Sequence, residues 1–174
     1  MAMIRSFTVG NGDMLYIKHD SDNFTIIDCQ LFGDHKEWLV DELIQESKDK
    51  GIKRFISTHS DEDHLLGIEH LDAKMPIQNF YVVKTTLTNE TESFLHYKKL
   101  RDGDKAFYVN KGRTRKWIIV GDDERDASKL SFQWPDLDNK DFQEALRAST
   151  DGGHSTIPRL LCATPSKTAP VSSS

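Results

Sequence analysis

Four side chains able to hold a metal ion fall within six residues: His59, Asp61, Asp63 and His64. Imidazole nitrogen is a borderline donor and carboxylate oxygen a hard one, so the set suits a divalent cation. The run that carries them, Thr58 to Gly67, reads T-H-S-D-E-D-H-L-L-G. A loop at the carboxyl end of a strand can fold back so that alternate side chains converge, and the Asp63-His64 pair at the start of a helix can point into the same pocket. Glu62, between two ligands in sequence, is expected to face outward. The same residues also make a good helix start. Ser60 or Asp61 can cap, and acidic side chains suit the positive end of the helix dipole. In that reading His59 is an ordinary strand-end residue.

The flanking elements must place this loop. Ile52 to Ser57 reads as the strand leading into it, and Leu65, Leu66, Ile68 and Leu71 read as a short helix leading out. Upstream, Met3 to Thr8 and Met14 to Lys18 read as strands around the turn Val9-Gly10-Asn11-Gly12-Asp13, where Asn-Gly between apolar runs signals a hairpin. Phe24 to Ile27 is a third strand ending on Asp28, so the start of the chain reads as an antiparallel meander. A helix beginning at Gly33 or Asp34 follows, with Trp38, Leu39, Leu43 and Ile44 on one face and Gly51 at its C-terminal cap. Downstream, strands are expected at Phe80 to Val83, Ala106 to Val109, Trp117 to Val120 and Leu130 to Trp134. Helices are expected at Thr91 to Leu100 and Asn139 to Ala148. Strands first, then helices alternating with strands, imply an α/β layered fold with a mixed sheet.

The chain has 174 residues, enough for one domain with a real core, and its 37% hydrophobic and 29% charged shares fit a globular protein. Its formal net charge of −5 excludes an overall electrostatic footprint for nucleic acid. The segment Lys98, Lys99, Arg101, Lys105, Lys111, Arg113, Arg115, Lys116 is locally basic, either a solvated face or an electropositive wall for an anionic substrate. No apolar run approaches the length of a membrane span. Cys29 and Cys162 stand far apart in unlike contexts, so no disulfide framework is expected and the cytoplasm is the expected location. Residues 155–174, rich in Pro, Ser, Thr and Ala, are expected to form a disordered tail behind a domain of residues 1–154. Of their side chains, Ile157, Leu160, Leu161 and Cys162 offer something to bury.

The run Thr58 to Gly67 resembles the metallo-β-lactamase superfamily motif T-H-x-H-x-D-H-x-x-G, matching at Thr58, His59, Asp63, His64 and Gly67. Two further segments agree in order and spacing. Val9 to Ile17 resembles the V-G-Q-G-D-A-x-L-I opening of the branch that includes the ComEC-type DNA-uptake proteins. Phe24 to Cys29 resembles that branch's third strand, which ends in an aspartate behind the metal loop. The resemblance, over residues 3 to 150, implies αββα layers, of which this chain would hold the N-terminal half to two-thirds. It also implies a metal-dependent hydrolase with one or two ions, Zn2+ or Mn2+. His59 and Asp61 would serve one ion and Asp63 and His64 the other, Asp63 would orient the nucleophilic water, and Asp28 would fix a ligand histidine. The branch points to a phosphodiester, in a small molecule or a nucleic acid, or to another anionic substrate.

Two departures matter. Asp61 stands where the family has histidine, which makes the first position harder and shifts preference toward manganese. The family's later ligands and strands are absent: Gly121-Asp122 comes too early, and Asp151 to Ser155 leads into the Pro/Ser/Thr run. A truncated, catalytically inactive protein, or a module that binds metal or anion without turnover, is therefore the rival expectation. A sheet lacking its second half would need an oligomer or partner chain to cover it. His154 reads as a loop residue, His96 as exposed or core-edge, His70 as structural, and His19 and His35 have no partner pattern.

Overall fold

The computed structural model describes residues 3–19, 23–115, 130–150 and 162–163. The expected meander is present. Strands β1 (Met3–Ser6) and β2 (Leu15–Lys18) pair antiparallel, Met3 opposite Lys18 and Ser6 opposite Leu15. The Phe7 N–H donates to the Met14 carbonyl at 2.9 Å, closing the loop that holds the Asn-Gly turn. Strand β3 (Phe24–Ile27) runs antiparallel to β2.

At Asp28 the chain leaves the main sheet through a left-handed backbone, φ 55. The next residues form a two-residue strand, β4 (Cys29–Gln30). After a 3-10 turn at Gly33–His35 comes helix α1 (Lys36–Ser47), and then β5 (Arg54–Ile56), parallel to β3 with Ile27 opposite Ile56. The segment from Ser57 to His64 follows. It leads to β6 (Leu65–Leu66), parallel to β4, then to helix α2 (Ile68–Lys74) and strand β7 (Phe80–Val82). Helix α3 (Glu92–Arg101) and strand β8 (Ala106–Tyr108) complete the main sheet. Its order is β1-β2-β3-β5-β7-β8, with the last three pairings parallel. The connections through α1, α2 and α3 are what allow parallel neighbours.

Alternation along each strand separates two cores. Phe55, Phe80 and Val82 face Leu39, Val40, Leu43, Ile68, Leu71, Phe94 and Tyr97 of the three helices. Ile56 and Tyr81 face the other way, onto Leu130, Phe132 and Phe142. Those partners come from a second, three-stranded sheet and a fourth helix. The sheet is β9 (Thr114–Arg115), β10 (Leu130–Phe132) and β11 (Cys162–Ala163), in the order β11-β10-β9, and the helix is α4 (Lys140–Thr150). The helix–sheet–sheet–helix order agrees with the α/β, αββα layering that the motif resemblance implies.

Several local expectations are corrected. Leu65 and Leu66 are strand rather than helix, because their backbone pairs with Cys29 and Gln30 and the Leu66 carbonyl accepts from the Leu31 N–H at 2.8 Å. The helix begins only after Gly67. Trp38 is 56% exposed, and the buried face of α1 is Leu39, Val40, Leu43 and Ser47, a spacing of three and four that leaves Trp38 about one residue's rotation outside it. The C-cap of α1 is Lys48 in left-handed geometry, with Asp49 left-handed too, so Gly51 lies beyond the cap. Within the segment expected to be a tail, Cys162 and Ala163 pair with Phe132 and Ser131. This pair includes the last of the apolar residues noted there. The remainder of residues 155–174, the expected strand at Trp117 to Val120, Gly121-Asp122 and His154 lie outside the described residues.

Candidate metal centre

Asp28 organises the site from behind. Its side chain is 1% exposed, at the carboxyl end of β3. Its Oδ1 accepts from the Thr58 N–H at 2.7 Å, and its Oδ2 accepts from Thr58 Oγ1 at 2.5 Å and lies 3.0 Å from His64 Nδ1. Thr58 Oγ1 is also 2.8 Å from His59 Nδ1. A carboxylate only accepts, so the Thr58 hydroxyl donates to Asp28 and receives the His59 Nδ1 proton, while His64 Nδ1 donates directly. This network assigns both tautomers. Each ring is left with its Nε2 lone pair as the donor for a cation.

Those Nε2 atoms lie near two partly exposed carboxylates. His59 Nε2 is 3.4 Å from Asp61 Oδ2, and His64 Nε2 is 3.9 Å from Asp63 Oδ2. The two imidazole centroids are 3.7 Å apart. One donor atom from each of His59, Asp61 and Asp63 lies within 4.8 Å of the others, and the same holds for Asp28, His59 and His64. The second grouping puts His64 with Asp28, whose oxygens are already hydrogen-bonded to Thr58 and His64. Two buried imidazoles and two partly exposed carboxylates are a donor set that fits a divalent cation.

The helix-start alternative predicts a side-chain cap. Asp61 does occupy the N-cap position of the 3-10 turn Glu62–His64, yet its side chain makes no capping hydrogen bond. Glu62 turns away, as expected, and its carboxylate accepts from Thr91 Oγ1 at 2.8 Å. That threonine also caps α3, accepting from the Phe94 N–H. The Thr58 to Gly67 loop is thereby tied to the start of α3. A second tie runs from the Gly67 N–H to Ser93 Oγ at 3.0 Å and on to Glu69 at 2.9 Å.

Electrostatically the centre is acidic. Burial opposes charge on His64 most strongly. The hydrogen bond and charge of Asp28, with the charges of Asp63 and Asp13, outweigh it, so His64 holds its proton more tightly than an ordinary histidine. Three histidines outside the centre have other partners. His19 Nε2 is 3.1 Å from Thr25 Oγ1, His70 Nε2 is 3.1 Å from Glu37 and His96 Nε2 is 2.9 Å from Asp72. Of the basic segment, Lys98 and Arg101 pair with Asp102, Lys111 with Asp136, and Arg115 lies over the Phe107 ring at 4.8 Å. Much of that charge is used within the protein. The roles of Thr58 as a relay and of Asp13 as a nearby charge were not read from the sequence. A hydroxyl directly before the first histidine was the only signal for the former.

No protein-family model and no curated protein matches the chain. Among solved structures it is similar to a variant flavo di-iron protein from Thermotoga maritima, at 14% identity and TM-score 0.48, over 71% of this chain and 27% of that one. It is similar to the metallo-beta-lactamase SMB-1 in a complex with mercaptoacetic acid, at 15% identity and TM-score 0.44, over 74% and 49%. ETHE1 from Myxococcus xanthus shows 13% identity and TM-score 0.42, over 75% and 46%. The chain thus spans between about a quarter and half of the length of these proteins.

Proposed function

We propose that this chain is a metal-dependent hydrolase in which His59, Asp61, Asp63 and His64 hold one or two divalent cations, Zn2+ or Mn2+. The observation that carries this reading is the commitment of both Nδ1 atoms to the Asp28 network, which leaves both Nε2 lone pairs beside Asp61 and Asp63. A bound cation supplies Lewis acidity and brings the pKa of its water toward neutrality. Asp63, partly exposed beside His64, is the carboxylate that holds and orients the attacking water. Thr58 and Asp28 keep the imidazoles in the required tautomer without touching substrate. Asp61 in place of a histidine makes the donor set harder and supports manganese over zinc. The likeness of Val9 to Ile17 to the DNA-uptake branch supports a phosphodiester or other anionic ester as substrate. The compartment is read as the cytoplasm. Among the described residues no helix is long and apolar enough to cross a membrane.

Metal analysis of the purified protein, paired with hydrolysis of bis(p-nitrophenyl) phosphate, tests this. The expected result is about one or two equivalents of manganese or zinc and a turnover that His64→Ala abolishes together with the metal. A protein that retains neither metal, and whose hydrolysis is unchanged by His64→Ala, would falsify the reading.

A further inference from the structure

We propose that Gln30 is a positioning residue of this centre: its side-chain amide, turned so that Nε2–H faces the Thr58 to Gly67 loop, donates to the Asp63 carbonyl and fixes the peptide that joins Asp63 to His64. The inference rests on the metal-centre reading above and concerns how two of the ligands are held. A Cβ at Gly12 would stand 1.8 Å from Gln30 Oε1 and 1.9 Å from the Asp63 carbonyl oxygen. One point thus lies within 1.9 Å of both oxygens, so they are no more than twice that distance apart. Gln30 Oε1 is buried and has no hydrogen-bond partner among the described residues. Two acceptors therefore stand side by side against the Gly12 backbone, and neither can donate to the other. A buried acceptor left without a donor is costly. A carboxamide turned over keeps its shape and exchanges oxygen for N–H. That half-turn puts a donor where the orphaned acceptor stood and pairs it with the Asp63 carbonyl.

The elements on either side hold this contact in place. Gln30 lies in β4 opposite Leu66, with Cys29 opposite Leu65, so the backbone of β4 already holds the exit of the loop. Cys29 is 0% exposed, which anchors the short strand in the core. Val9 and Met14 bracket the β1–β2 loop that carries Gly12, and at 2% and 1% exposed they fix its ends. The segment from Asp28 to Gln30 therefore reaches the centre at two points. Asp28 Oδ2 takes the His64 imidazole at 3.0 Å, and Gln30 takes the peptide one residue earlier. Asp63 and His64 are neighbours in sequence, so their donor atoms keep a fixed spacing only if the peptide between them cannot rotate. Gly12 lets the two loops close over that amide, because any side chain there would push it away.

Nuclear magnetic resonance of the isotope-labelled full chain, free of metal, tests the hydrogen bond itself. A scalar coupling across the bond from Gln30 Nε2–H to the Asp63 carbonyl carbon is expected, with slowed exchange of that proton. Absence of both overturns the inference, whether or not the protein binds metal. Calorimetric titration with Mn2+ and, separately, Zn2+ tests the positioning in wild type, Gln30→Met and the control Gln78→Met, which removes an exposed amide just before β7, at the amino end of the sheet. Gln30→Met keeps the length of the side chain and loses its donor. It is expected to weaken both ions about tenfold with an unchanged circular dichroism spectrum, while Gln78→Met binds as wild type does. Gly12→Ala should abolish the coupling, since the added Cβ displaces the amide. If the coupling is present but Gln30→Met binds metal as tightly as Gln78→Met, Gln30 ties the loop without positioning its ligands, and the centre stands. If wild type binds neither ion, the centre itself is wrong and the positioning role goes with it.

Discussion

Asp28 Oδ2 lies 3.0 Å from His64 Nδ1, joining residues 36 positions apart across the gap where β3 and β4 part. Asn tolerates the left-handed backbone at position 28, so Asp28→Asn tests the carboxylate and not the turn. Its amide can still accept from Thr58, but the anionic acceptor for His64 is gone. The expected loss is about 10- to 100-fold in metal affinity and about 1–3 kcal/mol in stability. Calorimetry and urea unfolding measure the two separately. Metal binding at wild-type strength would show that the histidines orient themselves without Asp28.

Gly67 sits between β6 and α2 with φ 79, and a Cβ there would lie 2.8 Å from Leu31 Cβ. Gly67→Ala therefore adds left-handed strain and a clash with a core residue, together about 2–4 kcal/mol. Gly112 has φ 83 with nothing within 4 Å of an added Cβ. Gly112→Ala should cost only the backbone part, about 1–2 kcal/mol. Equal urea midpoints for the two variants would rule out the packing role given to Gly67.

Arg101 is 3% exposed and donates to both Asp102 oxygens, at 2.7 and 2.9 Å. The Arg101 hydrogen bonds hold the Asp102 carboxyl below its usual range. A carboxyl with a lower pKa in the folded state binds fewer protons there than in the unfolded chain. Its stabilisation is complete above the unfolded value of about 3.9 and disappears as pH falls through the folded value. The Asp102 side chain is 45% exposed, so screening limits the contribution to about 0.5 kcal/mol. The stability difference between wild type and Asp102→Asn should hold steady above about pH 4 and shrink as the pH falls below it in paired denaturation curves. A difference that stays constant would mean that the pair does not act through charge.

The candidate centre could be proposed from the sequence because its four ligand-type residues are local. His59, Asp61, Asp63 and His64 fall in one short loop, and an apolar strand announces where that loop begins. The meander was legible for the same reason, since the Asn-Gly turn and the alternation around it are short-range signals. Trp38 was misplaced because helical spacing identifies a stripe without showing which edge of it meets the sheet. Leu65 and Leu66 were misread because two apolar residues carry no period, and only the distant backbone of Cys29 and Gln30 makes them a strand. The Thr58 relay depends on a hydroxyl placed by a strand crossing, which spacing cannot express. The closeness of Gly12 to Asp63 is likewise a contact between segments 51 residues apart in the sequence.

The left-handed turn at Asp28 has one more consequence. Ile27 lies opposite Ile56, and the Asp28 N–H donates to the Ile56 carbonyl at 3.0 Å, so the aspartate faces Thr58 and His64 only in this register. A slip of one residue between β3 and β5 would turn Asp28 to the opposite face of the sheet and deprive both histidines of their anchor. If His59 and His64 hold an ion as proposed, a chain with these strands mispaired would lack the oriented imidazoles needed to load it.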